Sequence, residues 1–266
     1  MTTATAVPAS LVTTNFARQL FVRGTDFLGP EEILKTFGSS LAIPEDQVPP
    51  IPFTEEELDR AKALGQCLEL HEPISMLEMN RVLGNKLGDG ALLYNTGRYE
   101  KEPFYATDKS SDWHWRLTTK TVIPDSAGEN YLGQSLALAR YLKTQVYAGQ
   151  ELPGIYAKAI AELKAREQEL AKLMDEDCQK AALELANLAI NQNCRETPSQ
   201  VLQSIAMYQV VNGEYLLPNM WTWTNTRTSD GYLVRVVYAD PHGVIVVRND
   251  SRYSSGDLGV RFSRRA

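Results

Sequence analysis

The sequence predicts an α+β protein in which helices fill the N-terminal and middle portions and short strands close the chain. Three observations carry this. Capping boxes precede apolar runs at Thr54…Glu57 and Ser75…Glu78, where side chain and backbone can satisfy each other's donors. Leu132, Leu136, Ala139, Leu142 and Val146 fall at helical spacing. Beyond Trp221 the pattern becomes short β-prone runs separated by Asp230-Gly231, Asp240-Pro241-His242-Gly243 and Ser254-Ser255-Gly256-Asp257.

Taken in order, residues 1–24 are Thr/Ala-rich and non-periodic, and read as a loosely held arm. Pro30-Glu31-Glu32 opens a helix that turns Ile33, Leu34 and Phe37 inward and closes at Gly38, with proline first and glycine after the last turn. Pro44, Pro49, Pro50 and Pro52 make a stiff linker. Helices then start at Thr54 and Ser75, the second stopping at Gly84, and Lys86-Leu87-Gly88-Asp89-Gly90 reads as a turn. Leu92-Leu93-Tyr94, Phe104-Tyr105 and residues 113–117 read as β. A long helical stretch covers 155–191 with a break near Asp175, and its charged middle, 161–172, faces solvent. Thr197-Pro198 begins another helix that ends at Asn212-Gly213. Residues 221–224, 232–238, 244–248 and 258–262 are the closing strands. The expected division is an N-terminal arm, helix and linker over 1–50, and a main domain over 51–266 with a helical insertion.

Composition excludes several classes. With 43% hydrophobic residues, 23% charged and a net charge of −6, the chain has no general attraction for nucleic acid or anionic membrane. Arg248, Arg252, Arg261, Arg264 and Arg265 cluster near the end, and an arginine-rich end can bind phosphate, but their interleaving with Asp250 and Asp257 predicts solvated pairing instead. Cys67, Cys178 and Cys194 are widely spaced and read as buried free thiols, not a disulfide framework or zinc knuckle. No secretory signal or membrane-length apolar run is visible, so the expectation is a soluble, cytoplasmic protein.

The most informative feature is a gap. From Asn225 to Ala266 there is no Lys, Glu, Gln, Met or Trp, although these types supply 53 residues before it. Chance gives such a gap on the order of one time in ten thousand. Strands disfavour Glu and Lys, but strand propensity does not explain missing Trp, Met and Gln. The types that remain are those a pyrimidine-ended codon, such as one for Asn, yields when its first two bases are randomised.

Strand, helices and a tail of short strands follow a C-type-lectin-like order. Trp221-Thr222-Trp223-Thr224 resembles the aromatic-x-Trp-Thr signature of the formylglycine-generating-enzyme branch of that fold, and residues 258–264 resemble that branch's closing strand. Residues 228–264 closely resemble the variable region of target proteins of diversity-generating retroelements, with weaker similarity of element order back to Ala91. The resemblance implies a C-type-lectin-like domain that displays residues rewritten by an error-prone reverse transcriptase. It does not imply the oxidase. Those enzymes carry a redox cysteine pair in the C-terminal part of the fold, and the last cysteine here is Cys194.

The display set read from the strand alternation is Tyr232, Arg235, Val237, Tyr238, Asp240, His242, Val244, Val246, Arg248, Asp250, Arg252 and Tyr253. Trp223, Leu233, Val260 and Phe262 are its packed frame, and the alternative for Val237, Val244 and Val246 is core. Tyr and Arg suit such a surface because they commonly dominate binding energy. No catalytic, cofactor or metal site is expected. His114, between Trp113 and Trp115, reads as a packed histidine more than an Asp112-oriented base. His71 reads as a turn residue, and Asp175-Glu176-Asp177 as a helix break or N-cap. The four tryptophans read as core more than as a sugar platform. The expected function is non-enzymatic binding of a protein or surface ligand through the C-terminal face, without nucleic acid or membrane insertion. A fixed structural or adhesin-type module is the alternative, and an enzyme built on His114 is the third reading; ligand identity and oligomeric state are left open.

Overall fold

Three helix starts are written into the chain as reciprocal caps and a fourth as a one-way cap, and the computed structural model, which describes residues 9–84, 87, 92–240 and 243–266, forms each of them. Side chains of 9–13, Ser40 and 237–240 are outside that description. Glu32 accepts from the Gly29 N–H at the head of α2 (Pro30–Phe37). Thr54 and Glu57 cap α3 (Glu55–Ala63), Ser75 and Glu78 cap α4 (Met76–Leu83), and Thr197 and Gln200 cap α10 (Pro198–Asn212). Gly38, Gly84 and Gly213 close α2, α4 and α10 with positive φ, which glycine adopts without a Cβ penalty.

The architecture is α+β with two sheets. The first runs β1 (Phe27–Leu28), β2 (Gln66–His71), β4 (His114–Val122), β9 (Arg261–Arg264). The second runs β3 (Leu93–Tyr94), β7 (Gly243–Asn249), β6 (Leu233–Asp240), β5 (Trp221–Arg227), β8 (Leu258–Gly259). The tail therefore changes sheets at Val260: β8 pairs parallel with β5, while β9 pairs antiparallel with β4. Helix α10 touches both sheets, through β2 and β6, and every residue from Pro198 to Met207 is buried. Its sequence is accordingly apolar or hydrogen-bonded all round instead of amphipathic. Helices α6 (Tyr131–Tyr141), α7 (Gly154–Glu176), α8 (Cys178–Asn187) and α9 (Ala189–Cys194) cover the other side, with α8 on β5 and α9 on β9. A wider π-helical turn, Leu142–Val146, prolongs α6.

Several expectations are corrected. The described part of the N-terminal arm is a helix, α1 (Ala9–Leu20), whose Phe16 and Ala17 pack with Phe21 into the core; residues 1–8 lie outside the described residues. Phe27, Leu28, Ile33 and Phe37 share that core with Trp115, Ile205 and Val246, so packing runs continuously across position 50. Pro44 caps a short 3-10 turn, Glu45–Gln47, that follows another at Ser39–Leu41, whereas Pro49, Pro50 and Pro52 lie outside helix and strand. Phe104 and Tyr105 are not strand: Pro103 starts a short helix, α5 (Pro103–Thr107), in which both are buried. The long helical stretch is three helices, and its first break uses Asp177 as N-cap, accepting from the Lys180 N–H at 3.0 Å. The turn expected at 86–90 falls, apart from Leu87, outside the described residues. Cys67 and Cys194 are buried, whereas Cys178 is half-buried. No helix among the described residues is long and apolar enough to cross a membrane.

Candidate binding surface

The β6–β7 hairpin sets the geometry of the surface. Its register opposes Val234 to Arg248, Arg235 to Val247 and Val236 to Val246. Because side chains alternate across a strand, these pairs fall on alternate faces. Val234, Val236, Val244 and Val246 are each 1% exposed and form the core face beneath α10. Val244 and Val246 are thus removed from the display set. The alternation was present in the sequence, but which parity faced outward was not. On the opposite face Ile245, Val247 and Asn249 are half-buried, and sequence reading missed them.

Arg235 is at the centre of that outer face, yet it is only 7% exposed. Its guanidinium carbon lies 3.7 Å from the Trp221 ring centroid and 4.5 Å from that of Tyr253, and Nε donates to Asn249 Oδ1 at 2.8 Å. Burial holds this guanidinium below its usual value. A cation clamped between two rings fixes their orientation more than it offers itself to a ligand, so Arg235 is a positioning residue. Tyr253 is the exposed member of the stack, at 36%. Beside it, Arg252 is exposed and its guanidinium and backbone N–H both donate to Asp250, at 3.2 and 2.8 Å. Such a solvated pair contributes little stability, but it holds the loop next to the stack.

The remaining members sit elsewhere. Arg248 pairs with Asp230 and lies 5.4 Å from the Tyr232 ring centroid. Together with Arg98, Tyr99 and Phe104, Arg248 lines a groove of about 380 Å³ on the opposite side of the hairpin. The predicted set is thereby split over two faces. The side chains of Val237, Tyr238 and Asp240, and all of His242, lie outside the described residues.

Charge is concentrated below this surface. Arg261 is fully buried and donates to Glu69 at 2.7 Å, Glu196 at 2.9 Å, Thr118 Oγ1 at 2.9 Å and the Thr119 carbonyl at 2.6 Å. Glu69 also accepts from Thr118 and Ser204, at 2.7 and 2.6 Å. Burial alone would raise the Glu69 carboxyl, but Arg261 and His71 hold it well below the usual range. The predicted solvated pairing of the C-terminal arginines therefore holds for Arg252 but not for Arg261, nor for Arg264, which meets Glu57 at 2.7 Å. His71 is no turn residue: it ends β2, fully buried, 3.1 Å from Glu69. Glu69, His71 and Glu196 offer donor atoms within 4.8 Å of one another, a spacing that could hold a metal ion. Both carboxylates are already bonded to the Arg261 cation, however.

His114 stacks on His71, with ring centroids 5.8 Å apart. Its Nδ1 faces the Asp112 carbonyl, not the Asp112 carboxylate, at 3.0 Å. Burial, reinforced by His71, pushes its pKa down to about 2. An imidazole so hard to protonate is a weak general base near neutral pH. Trp115 and Trp223 are buried, while Trp113 and Trp221 are half-buried. No protein-family model matches the chain, and no curated protein or solved structure matches it either.

Proposed function

We propose that this chain is a non-enzymatic binding protein whose C-terminal surface is diversified by a retroelement on a C-type-lectin-like frame. One observation carries the reading. The segment that lacks five residue types also holds a sharp division between frame and rim. Leu233, Leu258, Val260 and Phe262 are 0% exposed, whereas Ile245, Val247, Arg252 and Tyr253 reach solvent between them. A strand surface tolerates substitution on its open face while its core face keeps the fold. Ligand contact is assigned to Tyr253, Arg252, Val247 and Ile245, with Arg235 holding Tyr253 and Trp221 in place. The partner is a protein or surface ligand.

The test is the gene's own neighbourhood. A reverse-transcriptase gene and a near-copy of the segment encoding residues 228–264 should lie beside it. Mismatches should fall at adenines of the copy, reach codons 245, 247, 252 and 253, and spare 233, 260 and 262. Absence of both elements sinks the diversification reading and leaves a fixed interaction module.

A further inference from the structure

Away from the sheet face, a cleft of about 640 Å³ opens where α10 begins, between β4, β9 and α9. Arg116, Arg195, Arg264 and Arg265 line it, and the acidic side chain among its lining residues is Glu57. Two of these cations are already spent. Arg195 donates to Asn191, Gln134, Ser135 and the Tyr131 carbonyl, and Arg264 donates through Nη1 to Glu57. Even so, Arg264 Nε is buried without a partner.

The other two are not spent. Arg116 is 5% exposed, bonds Ser263 Oγ through Nε at 2.6 Å, and forms no ion pair with a described residue. Glu196 and Glu69, whose fields it feels, are both bonded to Arg261. Burial lowers Arg116 only to about 10, so it stays cationic at neutral pH. Arg265 is likewise outside any ion pair with a described residue, reaching Ser110 and His114 instead. Thr197 and Gln200, from the first turn of the 15-residue α10, also line the cleft. The start of α10 is itself occupied, its Ser199 and Gln200 N–H groups donating to Asp108 and Thr197, so the groups left to hold an anion are the two guanidiniums.

Arg116 and Arg265 thus bring two guanidiniums to one cleft, with no carboxylate bonded to either among the described residues. We propose that this cleft binds a small organic phosphate, its phosphoryl group held by Arg116 and Arg265 at the start of α10. A phosphate monoester carries about −1.5 to −2 charges and three acceptor oxygens, which suits two guanidiniums better than a single carboxylate does. The cleft, at about 640 Å³, also falls within the range of small-molecule sites, roughly 300–1,000 Å³. Tyr147 and Tyr156 supply flanking rings for the organic part.

Calorimetry on the full chain with adenosine 5′-monophosphate, inorganic phosphate and citrate tests this. The nucleotide should bind, more tightly than inorganic phosphate, and weaken with added salt. Arg265→Gln removes a partly exposed side chain, so it should fold and bind the nucleotide about tenfold more weakly. Arg116→Lys keeps the charge but loses the planar fork, and should weaken it too. The proposal is overturned if neither phosphate compound binds at up to roughly 10 mM, if citrate alone binds, or if both folded variants bind the nucleotide like wild type. None of these outcomes depends on whether residues 245–253 are diversified.

Discussion

Replacing Arg261 with Met should expose how much of the fold hangs on one guanidinium. The side chain is 0% exposed and makes five bonds to four partners, Glu69, Glu196, Thr118 and the Thr119 carbonyl. Met fills most of the volume but leaves two buried carboxylates without the cation that bonds them both. Glu69 keeps Thr118, Ser204 and His71, whereas both Glu196 side-chain bonds are to Arg261. Breaking a buried pair from one side costs about 3–5 kcal/mol, a large share of a total near 5–15 kcal/mol. Urea denaturation followed by tryptophan fluorescence at pH 7 should show a loss of that size. The pH dependence should invert as well. In wild type the Glu69 pKa is lowered, so its contribution is present above the ordinary carboxylate range and is lost as pH falls through the folded value. In the variant Glu69 loses the cation that lowers it and burial raises it instead, so relative stability should recover as acid neutralises it. A loss under about 1 kcal/mol, with pH slopes matching wild type, would refute the view that this network ties the tail to the fold.

Two further outcomes follow from buried titratable groups. Burial, with Glu78 nearby, raises Glu72 to about 8, and its Oε1 has no hydrogen-bond partner. Its contribution is complete below the ordinary carboxylate value and is lost as pH rises through about 8, so Glu72→Gln should be the more stable protein at alkaline pH in thermal melts. Burial pushes the Cys67 and Cys194 thiols up to about 12, while Cys178 is half-buried. A thiol-disulfide reagent at pH 8 should therefore titrate Cys178 alone in the native protein and all three after denaturation.

Local signals were legible and long-range ones were not. The boxes at Thr54 and Ser75 and the glycines that close helices depend on neighbours a few residues away, and the structure forms them where the sequence puts them. Strand β2 went unread because its polar residues, Gln66, Glu69 and His71, suggest an exposed face. All six of its residues are buried, since partners such as Ser204 and Arg261 arrive from more than a hundred positions away. The Thr/Ala-rich start hid α1 for a related reason: its few large side chains gain meaning only once Phe21 meets the core. At the candidate surface, strand periodicity was correct but its phase was not decidable. Val244 and Val246 were placed outside because nothing local reveals that α10 covers that face. Of the cleft, only Arg264 and Arg265 stood out in the sequence, as part of an arginine-rich end; Arg116 and Arg195 did not, because the site is assembled from segments around 116, 195 and 265.

The change of sheet at Val260 has a consequence for the order in which the molecule can be built. A ribosome delivers Glu69 and Glu196 long before Arg261, and β4 long before its partner β9. Until β9 emerges, two acids destined for the interior lack the cation that bonds them both, and β4 lacks its partner on one side. Contacts this distant in sequence slow folding and prolong exposure of unfinished surfaces. The nascent chain is therefore held short of its final state until the tail arrives, whatever side chains that tail carries on its outer face.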